Sequence, residues 1–394
     1  MSVRAGREFL MIPGPTTMPD EVLRAMHRPA IDIYSDEMVA LTDGLLRDLG
    51  ALFRTRMRPY IYIANGHGGW EAALTNTLSR GDKVLVLESG RFATGWGEAA
   101  HMLGAEAEVL PGGFRRAVRP EEVEARLKRD DARAIKAILV VQVDTASGVV
   151  NDIPAIAGAI RAAGHDALLM VDTVASLGCM PFEMDAWGVD VAMAAAQKGL
   201  MTPPGLAFVA AGPRAREAHA HANLRTPYWD WTAREGEEHY RKYAGTAPVH
   251  LLFALRAALD LLHAEGLEAA FTRHRLLAGA VRAAVAAWAS AGPLGFNIEA
   301  ACERADTVTA VTASGFDPAA LAAYCRDKCG VVLGTGIGDL AGCGFRIAHM
   351  GHVNAPTVLG TLGVIEMGLR ALGVAHGAGG AQAAVDYLAA NVAP

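Results

Sequence analysis

Short, uninterrupted apolar runs alternate with segments of helical spacing over the first 265 or so residues. Lys83–Leu87, Ile135–Val143, Ala167–Asp172, Val189–Ala194 and Leu206–Ala210 read as strands, and Pro120–Lys128 and Ile153–Ala163 between them as amphipathic helices. Continuous rather than alternating apolarity is what a strand covered on both faces requires. The pattern therefore predicts an α/β fold of βαβ units, with a mostly parallel sheet between layers of helix. The grain then changes. Val249–Arg282 is an almost unbroken helical pattern with one break, at Gly266. It leads into a smaller α+β unit whose strands include Thr307–Thr312 and Phe345–Ala348. The expected division is an N-terminal segment (1–20), a large domain (21–265) and a small C-terminal domain (266–394). The Gly/Ala-rich stretch Gly373–Ala384 reads as loosely ordered.

Composition narrows the class. A chain of 394 residues exceeds what one core usually serves, and 52% hydrophobic with 20% charged residues argues against disorder. A net charge of −6 offers no basic face for nucleic acid. No apolar run approaches the roughly 20 residues of a membrane span. Charges within Met1–Phe9 speak against a secretory leader. The cysteines are odd in number and scattered (Cys179, Cys302, Cys325, Cys329, Cys343), which suits a reduced cytoplasm. Cys325 and Cys329 share a helix face, but with no second Cys/His pair nearby no metal is expected.

Two residues carry the chemistry. Asp172 ends an apolar strand, the place where open α/β sheets put their ligands. Lys198 follows another such strand and precedes a Pro-Pro-Gly turn. A lysine among apolar residues is rare unless it is paired or reacting. Pyridoxal phosphate needs this pair of types: an amine to form the imine and a carboxylate to keep the pyridine nitrogen protonated. Arg346, between Phe345 and Ile347, suits a substrate carboxylate, which a planar guanidinium grips with two parallel hydrogen bonds.

PGPTTMP (Pro13–Pro19), ANGHGGWEAAL (Ala64–Leu74), VDTVASLG (Val171–Gly178), QKGLMTPPGL (Gln197–Leu206) and FRIAHMG (Phe345–Gly351) occur in this order. Together they resemble the class V aminotransferases, in particular the serine–glyoxylate and alanine–glyoxylate branch, from about residue 9 to the last helix. The resemblance implies a fold type I architecture, like that of aspartate aminotransferase, with a large sheet of seven strands. It also implies a homodimer with shared sites, and pyridoxal 5′-phosphate held by Lys198 with Asp172 on its ring nitrogen. Asn65, Gly66 and His67 match the turn whose amides hold the cofactor phosphate, at the start of a helix that itself favours anions. His67 taken alone suits polar packing equally well. Phe92 aligns with the aromatic residue that stacks on the cofactor ring. Thr145 aligns with the position that touches cofactor and substrate, Gln197 with a second phosphate ligand, and Thr246 with a phosphate ligand from the neighbouring subunit. Arg346 takes the α-carboxylate. The activity implied is ping-pong transfer of an amino group from a small amino acid such as serine or alanine to glyoxylate or pyruvate.

Departures bear on the substrate. Gly245 stands where relatives carry a tyrosine, with Tyr243 a possible substitute, and Ala196 stands where they carry a serine. Ile33-Tyr34 replaces His-Arg and is more like pyridoxamine–pyruvate aminotransferase, which places Tyr34 with the substrate-binding residues. Two alternatives follow: a transaminase of that type, and a lyase or desulfurase with Cys343 as the candidate thiol.

Overall fold

The computed structural model describes residues 2–392. Its strands are β1 (Phe9–Met11), β2 (Tyr60–Tyr62), β3 (Lys83–Leu87), β4 (Glu106–Leu110), β5 (Ile135–Val141), β6 (Val143–Asp144), β7 (Val149–Val150), β8 (Leu168–Asp172), β9 (Val191–Ala195), β10 (Ala207–Ala211), β11 (Leu294–Phe296), β12 (Val308–Ala313), β13 (Val331–Thr335) and β14 (Gly344–Ala348). The large sheet has seven strands in the order β2-β10-β9-β8-β5-β3-β4. β4, β3, β5, β8 and β9 run parallel; β10 and β2 run antiparallel to their neighbours.

The central strands are buried on both faces, which is why their apolar runs are continuous. One face packs on a core containing Leu49, Phe53, Ile138, Leu169 and Leu255; the other packs on Trp70, Trp96, Leu139 and Met193. Because the parallel strands point the same way, their carboxyl ends deliver Asp144, Asp172 and the Ala196–Lys198 turn to one edge of the sheet. The sequence pattern left out β2, which has only three residues, and β4, an edge strand whose mixed burial hides the apolar signal.

The second sheet runs β1-β13-β14-β12-β11. β1, from the start of the chain, joins it parallel to β13, and the other neighbours are antiparallel. The expected helix break stands at Gly266 (φ 85°), between Val249–Glu265 and Leu267–Ala289. In one place the structure overturns the reading: much of the Gly/Ala-rich stretch is ordered. Gly380–Asn391 is a helix that buries Ala384 and Leu388 in the second core. A side chain at Gly380 would meet the Trp288 indole at 2.1 Å, and one at Gly279 would meet the Tyr387 ring. The small residues there serve close helix packing, not looseness. Among the described residues no helix is long and apolar enough to cross a membrane.

Candidate active site

A cavity of about 240 Å³ opens at the carboxyl edge of the large sheet. Asn65, Gly66, His67, Phe92, Thr145, Asp172, Gln197 and Lys198 all line it, as do Gly14, Pro15 and Trp70. Eight positions expected from sequence are thus brought together from five separate stretches of chain.

Lys198 Nζ donates to the carbonyl of Pro13, in the segment that follows β1. A side chain at Gly14 (φ 98°) would lie 2.6–2.7 Å from Lys198 Cδ, Cε and Nζ, so only glycine fits against the lysine here. Burial and the nearby Arg346 lower the amine's pKa to about 8, with Asp172 pulling the other way. Asp172 Oδ1 accepts from Val174 N–H (2.7 Å), and Oδ2 from the indole Nε1–H of Trp70 (2.7 Å). Burial raises the carboxyl to about 6, so it remains an anion at neutral pH.

Asn65 Oδ1 accepts from His67 N–H (3.1 Å) and Gly68 N–H (3.4 Å), capping the helix Gly66–Thr77 at the cavity. The cap takes those two amides, so it is the Gly66 amide and the positive end of the helix that suit an anion there. Gln197 lines the cavity beside Lys198; its Oε1, an acceptor, is buried without a partner among the described residues, and its Nε2 is the group that could donate to an anion. Burial first, and then Arg91, hold His67 below the usual imidazole range.

Arg346, on β14, is 8% exposed. Its Nε donates to Thr335 O (2.8 Å) and its Nη1 to Thr145 O (3.0 Å), which ties the second sheet to the cavity rim. No carboxylate is within ion-pair distance of it among the described residues; burial lowers its pKa to about 10, opposed by Asp144. A desolvated guanidinium held only by carbonyls is an anion site in waiting.

Three of the expected residues do not line the cavity: Arg346, which reaches it only through Thr145, and Tyr34 and Thr246, which stand apart. Tyr34 is 60% exposed, and Thr246 lies exposed in the turn before the Val249–Glu265 helix; neither lines the cavity within the chain. Tyr243 is buried, with its hydroxyl 2.7 Å from that of Thr42, so it does not stand in for the missing tyrosine at Gly245. Cys343 lies outside the cavity, its thiol directed at Asp339 O.

The model of the aminotransferase class-V family matches residues 56–342. A serine–glyoxylate aminotransferase of Methylorubrum extorquens is 39% identical over 98% of each chain. The chain belongs to the class-V aminotransferases. An L-aspartate–glyoxylate aminotransferase of Paracoccus denitrificans is 36% identical over 93% of this chain and 92% of its own. The crystal structure of pyridoxamine–pyruvate aminotransferase from Mesorhizobium loti superposes with a TM-score of 0.90 at 28% identity, with each chain covered in full.

As a class-V aminotransferase the protein uses pyridoxal 5′-phosphate, and the cavity fits it: buried amine, anionic carboxylate, aromatic wall, helix start and the Gln197 amide. Two further residues of this aminotransferase escaped the sequence. Trp70 is one; a buried indole N–H usually finds an acceptor, but nothing in the chain says which. The other is Asp144, beside Thr145. Asp144 Oδ2 accepts from the amides of Phe92 (2.9 Å) and Ala93 (3.0 Å), and Oδ1 from Ala146 N–H (2.9 Å). It caps the Arg91–Leu103 helix in place of Gly90, which has no side chain to do so, and so fixes Phe92 at the cavity. An added Cβ at Gly90 would sit 2.2–2.5 Å from the Asp144 carboxylate. Gly90→Ala should therefore displace the cap and leave a buried carboxyl group and the Phe92 and Ala93 amides without their partners, a loss of roughly 2–4 kcal/mol. Thermal unfolding checks this: a Gly90→Ala melting point equal to wild type would mean that the carboxylate can move aside freely.

Proposed function

We propose that this aminotransferase moves the amino group of a small amino acid, such as serine or alanine, to glyoxylate or pyruvate by a ping-pong mechanism. The observation that carries the reading is Arg346, a buried guanidinium without a carboxylate partner among the described residues, which donates to the carbonyl of Thr145, a residue that lines the cavity with Lys198 and Asp172. The names of the relatives from Methylorubrum and Paracoccus favour glyoxylate as acceptor.

When bound, pyridoxal phosphate supplies the carbonyl that takes up the amino group and a ring that accepts the electron pair of the breaking α-C–H bond. The protein's own residues do the rest. Lys198 anchors the coenzyme covalently and, once released, moves the α-proton; a pKa near 8 leaves it usable as base and acid close to neutral pH. Asp172 stays anionic and holds the ring nitrogen's proton. Arg346 fixes the α-carboxylate of amino acid and oxo acid in turn. Phe92 walls one side of the ring, and Thr145 meets both coenzyme and substrate. Asn65, Gly66, His67 and Gln197 hold the phosphate, and Gln197 in particular supports a phosphorylated coenzyme over free pyridoxamine as substrate. Tyr34 belongs with the substrate contacts, from a surface position.

The test is a matrix of amino donors against oxo-acid acceptors, each half-reaction followed by the coenzyme's absorbance. Serine or alanine with glyoxylate or pyruvate should turn over fastest. Release of free pyridoxal from pyridoxamine, with no amino-acid half-reaction, would overturn the reading.

The working unit in this reading is a cytoplasmic homodimer, with the chain divided near residue 265 into a large and a small domain. Thr246 is exposed and away from its own chain's cavity, as a residue serving the partner's phosphate site would be. Lys198→Ala and Thr246→Trp chains, each inactive alone, should recover activity when mixed. A hybrid dimer then pairs one doubly damaged site with one intact site. Mixing that restores nothing would place each site within one chain and remove Thr246 from it.

A further inference from the structure

We propose that Trp70 is the positioning residue that keeps Asp172 ionised and aimed across the cavity, acting on the coenzyme only through that carboxylate. This rests on the role given to Asp172 above. The carboxylate has two protein donors. Val174 N–H is two residues along the chain, a local bond made by many aspartates at such turns. The indole of Trp70 comes from another element, 102 residues away in sequence, and lies 2.7 Å from Oδ2. With one donor on each oxygen, the carboxylate cannot rotate without breaking a bond, and its remaining lone pairs face the cavity it lines.

The indole itself is held from several sides. Trp96 stacks on it with centroids 6.1 Å apart and planes 14° apart; His67 meets it at 4.5 Å and Phe92 at 6.5 Å, both edge-on. The direction of its N–H is therefore set by packing, and the bond needs no reorganisation when a ligand arrives. The charges around Asp172 oppose one another. Asp144, from β6, disfavours its ionisation, and Lys198, after β9, favours it. His67, beside the indole, is held toward its neutral form by burial and by Arg91. Burial outweighs the rest; the Val174 bond first, then the Trp70 bond and Lys198, are what keep the carboxyl near 6 and not higher.

The same core holds an internal control. Trp96 Nε1 is buried with no partner among the described residues. Trp96→Phe and Trp70→Phe are the same chemical change in stacked neighbours, and only the second removes a bond to Asp172.

The experiment follows the Asp172 carboxyl by ¹³C NMR in the full-length protein freed of coenzyme, with the signal assigned by its loss in Asp172→Asn. The pH profile of turnover in the loaded enzyme is measured alongside. Losing a hydrogen bond to a charged group should raise the Asp172 midpoint by about 1–2 pH units in Trp70→Phe. Asp172 must be ionised to act, so the acid limb of turnover should move up with it, with little change in KM. Trp96→Phe should move neither. Trp70→Met also lacks the donor and repacks more freely, and it is read in the same way if the Phe variant unfolds. A merely packing role for Trp70 would lower turnover at every pH and leave the midpoint in place, which would overturn the proposal. The underlying role of Asp172 fails separately, if Asp172→Asn keeps wild-type turnover and an unmoved acid limb.

Discussion

Lys198→Ala should abolish multiple turnover, with a loss of 10³-fold or more. Removing a positioned general acid–base alone typically costs about 10²–10⁴-fold, and here the covalent anchor goes as well. The visible band of the lysine-bound coenzyme should disappear from the purified variant. The pH dependence is expected to be asymmetric. Burial and Arg346 hold the amine's pKa at about 8, well below an ordinary lysine, so its neutral fraction grows through the range where an unperturbed amine stays protonated. Repeated bleaching and recovery of the coenzyme band in Lys198→Ala, with an amino acid and an oxo acid supplied together, would move the catalytic role to another residue.

Arg346→Ala should weaken amino donor and oxo acceptor together. In the proposed reading one guanidinium serves the carboxylate of both, and a charge-assisted, two-point contact is worth roughly 2–4 kcal/mol, about 30- to 1,000-fold in kcat/KM. Arg346→Lys should recover little, because a point charge cannot replace the fork that already spends two donors on Thr335 O and Thr145 O. Initial rates with each substrate varied in turn are the measurement. A loss confined to one substrate would mean that the two carboxylates are held in different places.

The parts of this site legible in the sequence are those in which one residue's surroundings along the chain already look anomalous. Asp172 ends a buried strand, and Lys198 sits in an apolar stretch; both conflict with ordinary burial preferences, and both line the cavity. Trp70 and Asp144 gave no such sign. A tryptophan inside a helix looks like core, and Asp144 beside Thr145 looks like a turn residue. Their roles come from partners that the fold brings together: Trp70 with Asp172, and Asp144 with the amides of Phe92 and Ala93. The same holds for elements. The parallel strands announce themselves because both faces are buried, whereas β4 on the edge alternates weakly and β1 is three residues long. The helix at Gly380–Asn391 was hidden by the small residues that let it approach Leu267–Ala289.

The pairing of β1 with β13 sets an order of events during synthesis. Phe9 lies beside Val331, and Met11 beside Leu333, so β1 can find its place only after residues 331–335 have emerged. The sheet spanning residues 60–211 has no such delay and can collapse around Lys198 and Asp172 much earlier. Pro13 and Gly14, which close over the lysine, arrive only with β1. A nascent chain halted before β13 would hold the amine without its cover, so durable capture of the coenzyme is expected only once β13 has been made.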